Sequence, residues 1–176
     1  LKKLIAGTIM ICAILLFTSC AGLRVQDNPG ASFQIKNVVD QTPPLKVGDP
    51  VVVTVTADRD CYLHVYYLSG SGNIRQIFPD NRMSGNMIRG GTKTVIPPYG
   101  SNYMLTLMHP PVQESILSVA TLEPLNPIPQ HYMDYSGVIP RIKMSHRQFD
   151  RRIAKSLEKI LPTTWAVDRT YFTYGP

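Results

Sequence analysis

Four histidines, three cysteines and one loop crowded with Asp, Asn and Ser are the side chains of this 176-residue chain with reactive or metal-binding potential. Cys61 and His64 would form a thiolate–imidazole pair if they met. Both sit in a β-rich run, however, where residues three apart point to opposite faces. Cys61 therefore reads as a small buried apolar residue. His64, His109, His131 and His146 have no H-x-H or H-E-x-x-H neighbour, so no metal site is predicted. Asp80, Asn81, Ser84 and Asn86 offer oxygens without the spacing of a calcium loop, and turn formation explains them better. Gly70-Ser71-Gly72 lacks the third glycine of a dinucleotide cradle and leads into a strand rather than a helix. Ser115, Ser118 and Ser136 occupy no nucleophile elbow. No catalytic residue and no cofactor is assigned.

Cys20 is different because of what precedes it. Lys2 and Lys3 open an apolar run over residues 4–17, broken only by Gly7 and Thr8. As a helix that run would span about 21 Å, short of a hydrocarbon core of about 30 Å. A positive start, a short apolar core and small residues after it form a secretory signal. Phe17-Thr18-Ser19-Cys20-Ala21 resembles the lipobox of bacterial lipoproteins, with Phe17 where leucine is usual. The resemblance implies that the Cys20 thiol takes a diacylglyceryl group, that the chain is cut before it, and that the new amine is acylated with a chain such as palmitate. Several acyl chains, at about 0.8 kcal/mol per buried methylene, hold a protein on a bilayer. Ala21 in place of Asp implies sorting to the outer membrane of a Gram-negative envelope, on the periplasmic side.

Residues 1–19 are thus expected to be a lipoprotein signal peptide and 20–32 a polar, turn-rich membrane tether. Residues 33–176 are expected to form a single domain. Loss of Lys2 and Lys3 lowers the formal charge from +6 to +4, and loss of Cys12 leaves Cys61 as the one free thiol beside lipidated Cys20. The domain must then be stable without an intramolecular disulfide. A composition of 44% apolar and 17% charged residues excludes wholesale disorder.

The elements of that domain are predominantly strands. Phe33-Gln34-Ile35-Lys36-Asn37-Val38 alternates for most of its length. Residues 51–57 are β-branched almost throughout, with Val51, Val53, Val55 and Ala57 on one face and Val52, Thr54 and Thr56 on a wetter one. Residues 61–68 follow, then a Ser69-Gly70-Ser71-Gly72-Asn73 hairpin loop into 74–78. A long turn-rich connection covers 79–91, and further strands are predicted at 92–96, 103–108 and 115–122. Strands about 10 residues apart, bounded by Gly and Pro, indicate an antiparallel β-sandwich of immunoglobulin-like or similar type. Proline crowds 124–140, and one C-terminal amphipathic α-helix follows, opened by Ser145 and Gln148 at capping-box spacing. Phe149, Ile153, Leu157 and Ile160 make its apolar stripe, Pro162 ends it, and 165–174 supply a last strand.

Several of these strands carry a further pattern. Val47-Gly48-Asp49-Pro50, Cys61-Tyr62-Leu63-His64-Val65-Tyr66 and Gly72-Asn73-Ile74-Arg75-Gln76-Ile77-Phe78-Pro79 resemble, in order, the opening G-D, the aromatic strand and the hairpin of the domain of unknown function 4384 family. Lys93-Thr94-Val95-Ile96-Pro97 and Ala120-Thr121-Leu122-Glu123-Pro124-Leu125 are similar to its later elements. The resemblance covers residues 47–125. Cys61 stands where the family commonly has a small residue, and Glu114 stands without the Gly-x-Glu that the family often shows. The resemblance implies a β-rich fold and an accessory role, with no reaction attached.

The helix holds the remaining signal. Arg147, Arg151, Arg152, Lys155 and Lys159 occupy its polar side, with Asp150 and Glu158 as the acids. Such a face suits an acidic envelope protein or anionic headgroups, and an exported protein would rarely meet nucleic acid. The expected function is a non-catalytic binding or assembly module of an envelope complex, anchored to membrane lipid through Cys20. The alternatives are a small-ligand-binding lipoprotein using the Tyr-rich strands and a hydrolase with its site in loop 79–91. An apolar pocket would favour the ligand binder, and a deep polar one the hydrolase.

Overall fold

Alternation of β-branched and polar residues builds strands that bury one face. The structure, a computed structural model, describes residues 24–41, 44–107 and 113–175. The signal peptide and Cys20 lie outside the described residues, as does His109. The strands are β1 (Ile35–Val39), β2 (Pro50–Val51), β3 (Val53–Ala57), β4 (Cys61–Leu68), β5 (Ile74–Phe78) and β6 (Met87–Ile88). They continue with β7 (Lys93–Ile96), β8 (Leu105–Thr106), β9 (Glu114–Thr121), β10 (Met133–Asp134), β11 (Arg141–Ile142) and β12 (Trp165–Phe172). Among the described residues one α-helix, α1 (His146–Leu157), precedes β12. Among the described residues no helix is long and apolar enough to cross a membrane.

The fold is mainly β, and its ladders are antiparallel. A large sheet runs β10-β11-β5-β4-β9-β12, with β6 pairing the start of β4. A small sheet, β1-β3-β7, covers one face of it, and α1 covers the other. A β2–β8 ladder lies beside them. Strand β9 shows the period of two most clearly. Ile116 and Ala120 join the core under the small sheet, Leu117 and Val119 join the core under α1, and every residue of the strand is buried. In β4, Cys61, Leu63 and Val65 face the small sheet, while Tyr66 and Leu68 face α1.

Several sequence expectations are refined. The run 51–57 divides at Val52, because Val51 pairs with Leu105 while Val53 to Ala57 pair with β1. The predicted strand 103–108 shrinks to Leu105–Thr106 among the described residues. In β1 Asn37 points inward between Ile35 and Val39, and Val38 is 51% exposed. Asn37 is satisfied there, its Nδ2 donating to the Asp168 carbonyl at 2.8 Å and its Oδ1 accepting from Ser118 Oγ at 2.6 Å. Residues 24–32, read as the end of a tether, pack on the domain. Val25 is buried, and Asn28 Nδ2 donates to the Pro162 and Trp165 carbonyls. Gly72 turns the β4–β5 hairpin at φ +95°, and at Gly90 a Cβ would stand 2.6 Å from the Arg59 backbone.

Helix α1 begins as predicted. Ser145 Oγ accepts from Gln148 N at 3.4 Å and the Gln148 side chain accepts from Ser145 N at 3.0 Å, a reciprocal cap of the kind whose removal costs about 1 kcal/mol. Phe149, Ile153 and Leu157 are buried against the large sheet, and Ile160 packs partly beside them.

Candidate functional site

With its apolar stripe consumed by the core, α1 turns its cations outward. Arg147, Arg151 and Lys155 are exposed, as is Lys159, which lies just past the end of α1 at Leu157, and Arg152 is half-buried, its guanidinium 5.5 Å from the centre of the Tyr132 ring. Arg151, Arg152 and Lys155 join Tyr132, Lys143 and Gln148 around a groove of about 280 Å³. Asp134 is the nearby acid, 3.6 Å from Lys143. Hydrogen bonds from the Ser136 N–H and then the Lys143 charge hold its carboxyl below the usual range. Lys143 and Tyr132 were not legible as members of this face, since they flank ladders of two residues each.

Asp150 corrects the expected polar side. It is 5% exposed, facing inward, and forms an ion pair with Arg169 of β12. The helix therefore displays one acid fewer than its sequence contains.

Cys61 and His64 point to opposite faces of β4, as the strand period requires. Cys61 is 1% exposed in the core under the small sheet, and burial, then Asp60 and Asp58, push its thiol up to about 11. His64 Nε2 donates to the Leu125 carbonyl at 2.9 Å, and burial lowers its pKa, which favours the neutral ring. His64, Asp80, Ser84 and Asn86 all line a polar groove of about 750 Å³ beside loop 79–91. Apart from Asn86 Nδ2, which lies 3.0 Å from His64 Nε2, their bonds lead to other residues. Asp80 is buried, which opposes its charge, yet it accepts from Arg82 N at 2.8 Å, Tyr103 OH at 2.9 Å and the Arg82 guanidinium at 3.2 Å, and its pKa is lowered. Among the described residues no hydrogen bond joins Ser84 to His64, and no three His, Cys, Asp or Glu side chains gather as a metal site. The groove stitches loops together.

A second cavity, about 530 Å³, opens between the large sheet and residues 104–107. Val51, Leu105, Leu107, Ile116 and Ile139 give it apolar walls, and Tyr67, Asn73 and Arg75 stand at its polar end. Register explains that end. Ile116, Tyr67, Arg75, Arg141 and Asp134 are successive cross-strand partners through β9, β4, β5, β11 and β10, and so share one face. Beside them Glu114, fully buried, accepts from Ser69 Oγ at 3.3 Å and Gly70 N at 3.2 Å, tying the start of β9 to the β4–β5 hairpin. Burial, and then Glu114, raise the pKa of Tyr67.

No curated protein and no solved structure matches the chain. Residues 44–124 match the family described as Domain of unknown function (DUF4384), a span that runs from just before β2 through β9. The chain carries a domain resembling that family.

Proposed function

We propose that the protein is an outer-membrane lipoprotein held on the periplasmic side through acylated Cys20, and that its domain is a non-catalytic binding module of an envelope complex. The observation that carries the binding role is the outward face of α1. Arg147, Arg151 and Lys155, with Lys159 just past the helix end, are exposed while Asp150 is turned inward, so the charge is displayed rather than consumed. A surface of that sign recruits an acidic partner and speeds its approach. The short apolar run ending in Thr18-Ser19-Cys20 supports the anchor.

Two experiments test the reading. Inverting Arg151, Lys155 and Lys159 to Glu should change stability by no more than about 0.5 kcal/mol per residue, because exposed charges contribute little. The same variant should lose the protein that co-purifies with wild type from solubilised membranes. That complex should also weaken with salt, which screens exposed charges beyond about 8 Å at physiological ionic strength. A complex indifferent to both changes would reduce α1 to a cover for the sheet. For the anchor, Cys20→Ser should yield an unprocessed chain that takes up no radiolabelled palmitate. Label retained at the wild-type level would refute it.

A further inference from the structure

We propose that the cavity behind Arg75 binds a single-chain amphiphile, with its apolar tail inside and its anionic head on Arg75. This does not depend on the basic face of α1 or on the anchor. Arg75 is exposed at the mouth, and among the described residues its guanidinium donates only to the Ile139 carbonyl, at 3.4 Å. Among the described residues it forms no ion pair. Its direct cross-strand partner on β11 is a second arginine, Arg141. Like charges placed opposite each other in a sheet repel, and an anion between them turns that repulsion into two attractions. The next residue in the row, Asp134, already serves Lys143 and the Ser136 N–H. Guanidinium groups match carboxylate and phosphate oxygens in pairs, so either head fits.

The tail follows from the shape of the apolar wall. The cavity of about 530 Å³ shares Val51, Met104 and Leu105 with a neighbouring depression of about 230 Å³ that reaches Tyr99 and Tyr103. Met104 between them is 71% exposed, and Tyr99 is 91% exposed. An extended apolar track with one charged end suits an acyl chain better than a compact ring. A fatty acid and a lysophospholipid share this chemistry, and the test separates them.

The full chain in phosphatidylcholine vesicles is photolabelled with a diazirine-bearing palmitate, and the labelled peptides are mapped. Label should fall on residues 104–107 and Ile139. Palmitate and lysophosphatidylglycerol should both compete, the stronger of the two identifying the head, while uncharged monopalmitoylglycerol should compete at least tenfold less well. Arg75→Glu should lower labelling tenfold or more, with Arg75→Lys recovering part of it, and Leu105→Trp should block the tail. Far-UV circular dichroism of each variant separates lost labelling from lost fold. If Leu105→Trp unfolds, Thr106→Trp on the exposed rim replaces it. Equal competition by the uncharged lipid, label elsewhere in the chain, or labelling unchanged in Arg75→Glu would overturn the proposal.

Discussion

Ile153→Asp should leave the domain without a cooperative fold. Ile153 is fully buried between α1 and the large sheet, among Tyr66, Leu117, Val119 and Phe149. An ionised carboxylate there would find no cation among those neighbours, only the hydroxyl of Tyr66. The charge would have to be neutralised at high cost or the helix released from the sheet, and either costs about 4 kcal/mol or more. A small domain has roughly 5–15 kcal/mol of stability to lose. Ile153→Val, which removes one methylene, should cost about 1 kcal/mol and serves as the control for packing alone. Urea unfolding followed by circular dichroism distinguishes the two. A sharp wild-type-like transition for Ile153→Asp would mean that α1 does not close the core.

The second large effect is expected at the Asp150–Arg169 ion pair, which links α1 to β12. The two side chains are 7% and 11% exposed, so neither recovers water if the other is removed. Asp150→Ala should cost about 3–5 kcal/mol, because it strands a buried guanidinium whose Nε has no hydrogen-bond partner among the described residues. Asp150→Leu combined with Arg169→Met should be far milder than Asp150→Ala alone, since an apolar pair of similar volume removes both desolvation terms together. Denaturation midpoints of the single and double variants decide the matter. A loss below about 1 kcal/mol in Asp150→Ala would mean that the pair is effectively solvated.

Both predictions draw on the helix, and the helix was readable because its information is local. The spacing of Phe149, Ile153 and Leu157, the Ser145–Gln148 cap and Pro162 lie within one short stretch of chain. The same holds for β4 and β5, whose bounds Cys61–Leu68 and Ile74–Phe78 coincide with the predicted runs, and for the glycine at positive φ between them. Strands β6, β10 and β11 leave no such local signal. Two residues carry no period, and each exists only through a partner: Met87–Ile88 on β4, Arg141 on Arg75, Met133 on Ile142.

The amino-acid sequence by itself determined the β-rich class, the inner faces of the long strands, the amphipathic helix and the cationic character of its outer side. Those properties follow from side-chain periodicity, which each segment carries regardless of its neighbours. The tertiary structure alone decided that Asn37 points inward, since the Asp168 carbonyl and Ser118 hydroxyl that satisfy it lie 131 and 81 residues away. It likewise turned Asp150 toward Arg169 and left Arg75 beside Arg141 at an apolar mouth. Whether a polar residue is buried depends on the partner it meets, and long-range pairing, rather than the residue's own neighbours in sequence, supplies that partner.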